Sequence, residues 1–309
     1  MTTPDIATGT LDLISLGECL VEFNRRDDGS LAQAFAGDAF NVLFYAGRLG
    51  LRTGFISSVG DDLFTPMIID GIEREGIDTS HLLRPEGLRN GLYFIQLDAR
   101  GEYTFHFWRA GSAATETLLR SDIGGLARYI SNARAFIFTG VGLAVLRGEE
   151  QLDELLRGVH GRTPIVFDTN YRKRLWESPA ACARRFEAIL PYVDILLPTE
   201  SDLAAIYPGI PLDDLCARFT AMGVSTIAVK RGEKGCAYYR DGVIYAVPPE
   251  RVTPIDTTGA GDAFNAGFLA AMLRGRDIAE CCRMGERVAR HVLGVRGAID
   301  PAYHPEPIA

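Results

Sequence analysis

Short apolar runs recur along the chain, at Leu13–Leu16, Gly54–Val59, Ala135–Phe138, Ile165–Phe167, Ile195–Leu197 and Ile227–Val229. Between most of them lie longer stretches whose apolar residues repeat at helical spacing, among them Phe40–Leu49, Phe64–Glu75, Glu150–Val159 and Ala180–Leu190. A strand that is apolar on both faces has to be covered on both, and helices that alternate with such strands supply the cover. The pattern predicts an α/β fold built on a mainly parallel sheet flanked by helices. Ligands in such sheets bind beyond the carboxyl ends of the strands.

Two regions break the alternation. Glu18–Asn24 with Leu31–Phe35 reads as a hairpin around Arg25-Arg26-Asp27-Asp28-Gly29. Leu92–Leu97 with Tyr103–Trp108 reads as another, around Asp98-Ala99-Arg100-Gly101. Both have β-prone flanks and a glycine in the turn. They predict a small β-sheet, a lid over one end of the larger sheet, with lid strands at about 18–35 and 91–109 inserted in one domain of residues 11–300. Residues 301–309 read as a C-terminal tail, and the three prolines after Arg296 predict an extended surface segment there.

Composition narrows the partners. The 309 residues are 47% hydrophobic, enough to bury a core without disulfides or structural metals. A net charge of −8 argues against a nucleic acid or an anionic membrane as the main partner. An anionic ligand would then need arginines placed for it. The six cysteines show no C-x-x-C and no metal-ligand spacing with the five histidines, which reads as reduced thiols in a cytoplasmic protein. The start, Met1–Thr10, has no basic region followed by an apolar run, so no signal peptide is expected. No apolar stretch approaches the roughly 20 residues that span a bilayer.

The most informative loop is Gly259-Ala260-Gly261-Asp262, which stands before the helix-like run Ala263–Arg274. Small residues let backbone N–H groups approach an anion, and the unpaired N–H groups of a helix start point the same way. That suits a transferring phosphoryl group, whose catalysis rests on positioning and charge stabilisation. Asp262 could take the proton of an attacking hydroxyl there. With a free Asp pKa of about 3.9 and a helix start favouring the anion, it is expected to be ionised at neutral pH. Read alone, the same residues fit a plain helix cap better than a catalytic loop. No G-x-x-x-x-G-K-[ST] is present, nor an H-R-D with D-F-G, and Gly140-Val141-Gly142 lacks the third glycine of a dinucleotide fingerprint because Val145 stands there.

Taken together with other segments, the loop resembles a known family. Asp256-Thr257-Thr258-Gly259-Ala260-Gly261-Asp262-Ala263-Phe264 is similar to the C-terminal signature of the ribokinase (PfkB) family of carbohydrate kinases. Gly37-Asp38-Ala39-Phe40-Asn41-Val42 with Ala46–Gly50, Val59-Gly60-Asp61-Asp62, and the turn Lys230-Arg231-Gly232-Glu233-Lys234-Gly235 resemble further family motifs, in the family's order and over nearly the whole chain. Gly91–Phe94, Thr104–Arg109, Phe167–Arg172 with Leu175-Trp176, and Arg296-Gly297-Ala298 look most like the 2-keto-3-deoxygluconate kinases within it.

The resemblance implies a ribokinase-like, Rossmann-type core with a β lid, and transfer of phosphate from Mg-ATP to the 6-hydroxyl of a sugar acid. Asp262 would be the base, and Gly259, Ala260 and Gly261 the anion hole. Gly37, Asp38, Asn41, Tyr93 and Phe107 would line the sugar site; Phe107 stands where relatives often have Tyr, so ring packing replaces a hydroxyl contact. A sugar acid also asks for a fixed cation, and Arg suits bidentate carboxylate binding. Arg109 and Arg172 are the candidates. Asn170, Arg172, Thr199, Lys230, Gly232, Lys234, Gly235, Gly259 and Gly261 would hold ATP, its adenine near Lys230–Gly235. The family's N-x-x-E is here Thr199-Glu200-Ser201-Asp202, so Asp202 is left to orient water on Mg²⁺. The resemblance also admits a monovalent cation and a homo-oligomer paired through the lid edge. The rival expectations are a kinase of a neutral sugar such as fructose or ribose, and a sugar sensor without turnover.

Overall fold

Residues 11–25, 28–97, 103–249 and 252–305 are described by the computed structural model. The turn residues Arg26, Asp27 and Asp98–Gly101, the start Met1–Thr10 and the last residues of the tail, 306–309, lie outside them.

Thirteen strands form two sheets among the described residues. In chain order they are β1 (Leu13–Leu16), β2 (Leu20–Arg25), β3 (Leu31–Ala36), β4 (Thr53–Ser58), β5 (Leu82–Leu83), β6 (Leu92–Leu97) and β7 (Tyr103–Trp108). There follow β8 (Phe136–Thr139), β9 (Ile165–Asp168), β10 (Ile195–Leu196), β11 (Thr226–Lys230), β12 (Cys236–Arg240) and β13 (Val243–Val247). The large sheet runs β13-β12-β11-β10-β9-β8-β1-β4-β5, and the small one β3-β2-β6-β7. Neighbours in the large sheet are parallel except at one edge, where β12 and β13 fold back antiparallel. The apolar runs named above do not include that edge pair, although Val243–Val247 is apolar in sequence; β13 differs from the core strands in being mostly exposed.

Each central strand divides its side chains between two cores. Leu13, Ile137, Val166 and Ala228 face one. Ile14, Phe136, Phe138, Phe167 and Val229 face the other. This is the period-two alternation of a strand buried on both faces. Each such side chain contributes about 1.5–3 kcal/mol of burial. Helices Asp38–Arg48 and Ala260–Met272 cover the first face, and Glu149–Val159 and Pro179–Ile189 the second. The last of these starts on a Ser178 side chain that accepts from Ala181 N–H, with Pro179 at a position that needs no donor.

The two hairpins meet as expected. β2–β3 and β6–β7 pair antiparallel, and β2 joins β6 in parallel to make one four-stranded lid. One lid face carries Leu20, Tyr93 and Ile95, and the other an aromatic chain in which Phe23 stacks on Phe94 at 4.9 Å. The tail departs from expectation. Gly297 N–H bonds to Asp256, Ala298 is buried, and Tyr303 is buried with its ring 5.4 Å from that of Tyr45. An aromatic and an alanine outweigh the prolines: the segment folds back on the core instead of extending over the surface. None of the six cysteines forms a disulfide. No helix among the described residues is long and apolar enough to cross a membrane.

Candidate active site

The carboxyl ends of β8, β9 and β11 bring Thr139, Asp168–Asn170 and Lys230 to one edge of the large sheet. Helix Asp38–Arg48 begins at the same edge, directly after the lid strand β3. Helix Ala260–Met272 begins there too, and it begins earlier than the sequence suggested. Gly259 is its N-cap, with φ 76°, so Gly261 and Asp262 lie in the first turn. Asp262 is therefore not the cap, and its carboxylate is free for another task.

Gly259 is fixed by shape as well as by φ. A Cβ there would stand 2.8 Å from the Ala298 methyl and 2.9 Å from its backbone. Asp256 ties the loop down: one oxygen accepts from Thr258 N–H and hydroxyl, the other from Gly297 N–H. Left-handed strain of roughly 1–2 kcal/mol plus overpacking of 1–3 kcal/mol gives an expected loss of about 3 kcal/mol for Gly259→Ala. A urea melt would show a lowered midpoint, and an unchanged midpoint would remove the clash from the account.

Asp262 is only 8% exposed, and its Oδ2 accepts from Asn41 Nδ2 at 2.7 Å. Burial, and next the charge of Asp38, push its carboxyl up to about 8. Against the sequence expectation of an ionised group at neutral pH, burial beside a second carboxylate works in the opposite direction to a helix start. Asp38 accepts from Thr139 Oγ1 and from Asn170 Nδ2, and burial raises it too. Asn170 adopts φ 30°, an unusual value for a side-chain-bearing residue, and that strained turn aims its amide at Asp38.

Lys230 lies deeper than an adenine-side residue would. It is 8% exposed, and its Nζ pairs with Asp168 at 2.9 Å and bonds Asn265 at 3.1 Å. Asn265 in turn donates to Asp168 at 2.6 Å. A Cβ at Gly261 would be 3.7 Å from the same Nζ, so this ammonium stands under the Gly259–Gly261 turn. The exposed Lys234 pairs with Glu200 instead, in the one-turn 3-10 helix Gly232–Lys234 that precedes Gly235.

On the lid, Tyr93 is buried and its hydroxyl donates to Glu22. Burial raises Glu22. Arg109, at the end of β7, pairs with Glu18, and its guanidinium carbon lies 4.0 Å over the ring of Phe107. Gly37 is pressed against Glu18: a Cβ would meet the Glu18 carbonyl oxygen at 2.2 Å. Arg172 is exposed, bonding the Tyr171 carbonyl at 3.4 Å. The fold joins Asn41 to Asp262 and Asp38 to Asn170. Thr199 caps helix Glu200–Ile206 by accepting from Asp202 N–H. Asp202 Oδ2 takes Thr169 Oγ1 and Tyr171 N–H, at 2.8 and 3.1 Å.

Glu18, Glu22, Thr139, Asp168 and Asn265 went unassigned from sequence. The available signal was polarity out of place: Glu18 and Glu22 interrupt a strand pattern, and Asn265 sits in a helix that is otherwise apolar.

A buried carboxylate, a helix start with free N–H groups and a buried ammonium converge under a β lid, at the strand ends of a parallel sheet. These are the parts of a phosphotransferase that acts on a small alcohol. The chain belongs to the pfkB family of carbohydrate kinases, whose profile it matches over residues 10–305. It is 32% identical to the 2-dehydro-3-deoxygluconokinase of Haemophilus influenzae, over 92% of this chain and 94% of that one. The enzyme of the same name from Escherichia coli K12 is also 32% identical, over 93% and 96%. Among solved structures, the 2-dehydro-3-deoxygluconokinase of Thermotoga maritima superposes with a TM-score of 0.84 at 18% identity, covering 94% of this chain and 95% of that one. A putative ribokinase II from E. coli in complex with ATP and Mg²⁺ gives 0.80 at 23% identity, covering 93% and 94%.

Proposed function

We propose that the chain transfers the γ-phosphoryl group of ATP to the 6-hydroxyl of a sugar acid, 2-keto-3-deoxygluconate before others. One observation carries the choice of an acid: Arg109, a fixed cation on the lid, lies over the Phe107 ring and close to the start of helix Asp38–Arg48, which bears Asp38 and Asn41. Relatives 32% identical over more than nine-tenths of both chains carry a matching name.

In this reading the sugar acid lies between lid and core, its carboxylate on Arg109 with Arg172 approaching from the core side. Tyr93 and Phe107 pack on the sugar, and Gly37, Asp38 and Asn41 hold its hydroxyls. Asp262 takes the proton of the 6-hydroxyl as that oxygen bonds to the γ-phosphorus. The bond from the γ-phosphorus to the bridging oxygen breaks, and ADP leaves with the electron pair. The N–H groups of Gly259–Gly261 and the ammonium of Lys230 stabilise the charge in transit. Asn170, Thr199, Gly232, Lys234 and Gly235 line the path of the nucleotide.

Among the described residues no group of three or more His, Cys, Asp or Glu is arranged to hold a metal. That fits Mg²⁺ brought in on the nucleotide, which keeps most of its waters and needs few protein ligands. Asp202 would orient one such water through the oxygen not used by Thr169 and Tyr171; the ion would supply charge neutralisation between the β- and γ-phosphates. Pairing of two copies along the lid belongs to the same proposal. Leu31, Phe107 and Trp108 on its edge strands are 50%, 47% and 58% exposed, and light scattering would detect the dimer.

The test is coupled ADP release with 2-keto-3-deoxygluconate, its galactonate epimer, fructose and ribose. The sugar acids are expected to exceed the neutral sugars by about 10²-fold in kcat/KM. Stimulation by the neutral sugars alone would sink the substrate reading and leave the family untouched. ADP release with none of them would favour a sensor.

A further inference from the structure

Glu18 stands where the large sheet gives way to the lid, between the end of β1 at Leu16 and the start of β2 at Leu20. Its side chain is buried, and Oε1 accepts from Nη1 of Arg109. Arg109 is itself mostly buried, its guanidinium carbon over the Phe107 ring. Two atoms of this pair make no hydrogen bond: Oε2 of Glu18 and Nε of Arg109, both shielded from solvent. One corner of the guanidinium fork is therefore engaged inside the protein, while the edge that includes Nε is not. An Arg edge of that kind takes a carboxylate through two parallel bonds.

We propose that Glu18 is a positioning residue: it holds one corner of Arg109, presents the remaining edge to the substrate carboxylate, and competes with that carboxylate for the same cation. The proposal rests on the sugar-acid reading above. Its distinctive consequence comes from the charges around Glu18. Arg109 faces it from the end of β7 and Asp38 from the start of helix Asp38–Arg48, with Cys19 beside it on its own segment. Burial pushes the Glu18 carboxyl up to about 7, Arg109 opposes that, and Asp38 adds to it.

Below that value Glu18 is neutral, still accepts from Arg109, and leaves the full positive charge to the substrate. Above it, Glu18 is an anion that already balances Arg109. The affinity for a sugar acid therefore falls as pH rises through about 7, although the substrate's own charge does not change over that range.

The experiment measures KM and kcat for 2-keto-3-deoxygluconate with wild type, Glu18→Gln and Glu18→Ala, from about pH 6 to about pH 8.5. Asp262 titrates in all three, so the quantity compared is the ratio of their KM values at each pH. Wild-type KM is expected to rise about tenfold across the interval relative to Glu18→Gln, which keeps an oxygen acceptor for Nη1 but cannot ionise. Glu18→Ala, which releases Arg109, should raise KM about tenfold or more at every pH, with kcat within about twofold of wild type.

A wild-type to Gln ratio that stays constant with pH overturns the inference. So does an Ala variant whose KM equals that of the Gln variant. If the Ala protein does not fold, the Gln comparison decides alone. A wild type that turns over no sugar acid overturns the substrate reading and this inference with it; parallel profiles in an active enzyme overturn this inference only.

Discussion

Asp262→Asn is expected to lower kcat by about 10³-fold while sugar and nucleotide binding stay within a few-fold of wild type. Asn keeps the shape of Asp and an oxygen that can accept from Asn41 Nδ2, so the first turn of helix Ala260–Met272 and the anion hole are preserved. Only the ability to take a proton is lost. The pH profile carries the same assignment. With its carboxyl raised to about 8 by burial and by Asp38, the base is mostly protonated in the free enzyme at neutral pH. Below about pH 7, kcat/KM should therefore climb about tenfold per pH unit.

Stability should move the opposite way. A carboxyl whose folded pKa lies above its unfolded value binds more protons in the native state between the two. This group then subtracts stability from wild type as pH rises from about 4 toward 8, a loss that Asp262→Asn lacks while the other raised carboxyls are common to both. Melting temperatures of the two proteins across that range would show the Asn variant gaining on wild type. Near-normal turnover by Asp262→Asn would remove this residue from the chemistry. A gap in melting temperature that does not change with pH would remove the raised carboxyl.

The second large effect is expected at the lid. Arg109→Leu should raise KM for the sugar acid by about 10²-fold, with kcat little changed and turnover of any neutral sugar unaffected. Losing one partner of a buried, hydrogen-bonded charge pair costs about 2–5 kcal/mol, much of it from the charge left behind. Here two carboxylates depend on the one guanidinium, that of the substrate and that of Glu18. Without it Glu18 takes up a proton rather than remain a lone buried anion, which limits the stability loss. Leu also retains contact with the Phe107 ring, so the lid strand keeps its packing. An equal rise in KM for fructose would mean that the change had disturbed the lid rather than a carboxylate contact.

Much of the architecture is legible before any fold is known. β1, β6 and β7 begin and end where the apolar runs do, and the other core strands shift by a residue or two. For the core strands the reason is that a strand buried on both faces has to be apolar throughout, a condition each segment meets by itself; the lid strands show instead as β-prone runs around a turn. The antiparallel edge pair, β12 and β13, was passed over although Val243–Val247 is apolar, since composition does not tell an exposed edge strand from a buried one. The tail misled for a related reason. Prolines signal an extended backbone locally, but Tyr303 and Ala298 are held by Tyr45 and by the Gly259 turn, far away in the chain.

The amino-acid sequence alone determined the family, the parallel core, the lid hairpins and the identity of the Gly-Ala-Gly-Asp loop. Each of these is written in local spacing or in a short motif whose residue types chemistry restricts. Only the tertiary structure decided what state those residues are in. Asn41 meets Asp262 across 221 positions, Asn170 meets Asp38 across 132, and Asn265 meets Asp168 across 97. Those meetings raise Asp262 by burial, set Lys230 beneath the Gly259–Gly261 turn and give Arg109 to Glu18. Protonation and pairing depend on which charges share a low-dielectric space, and no local pattern encodes that.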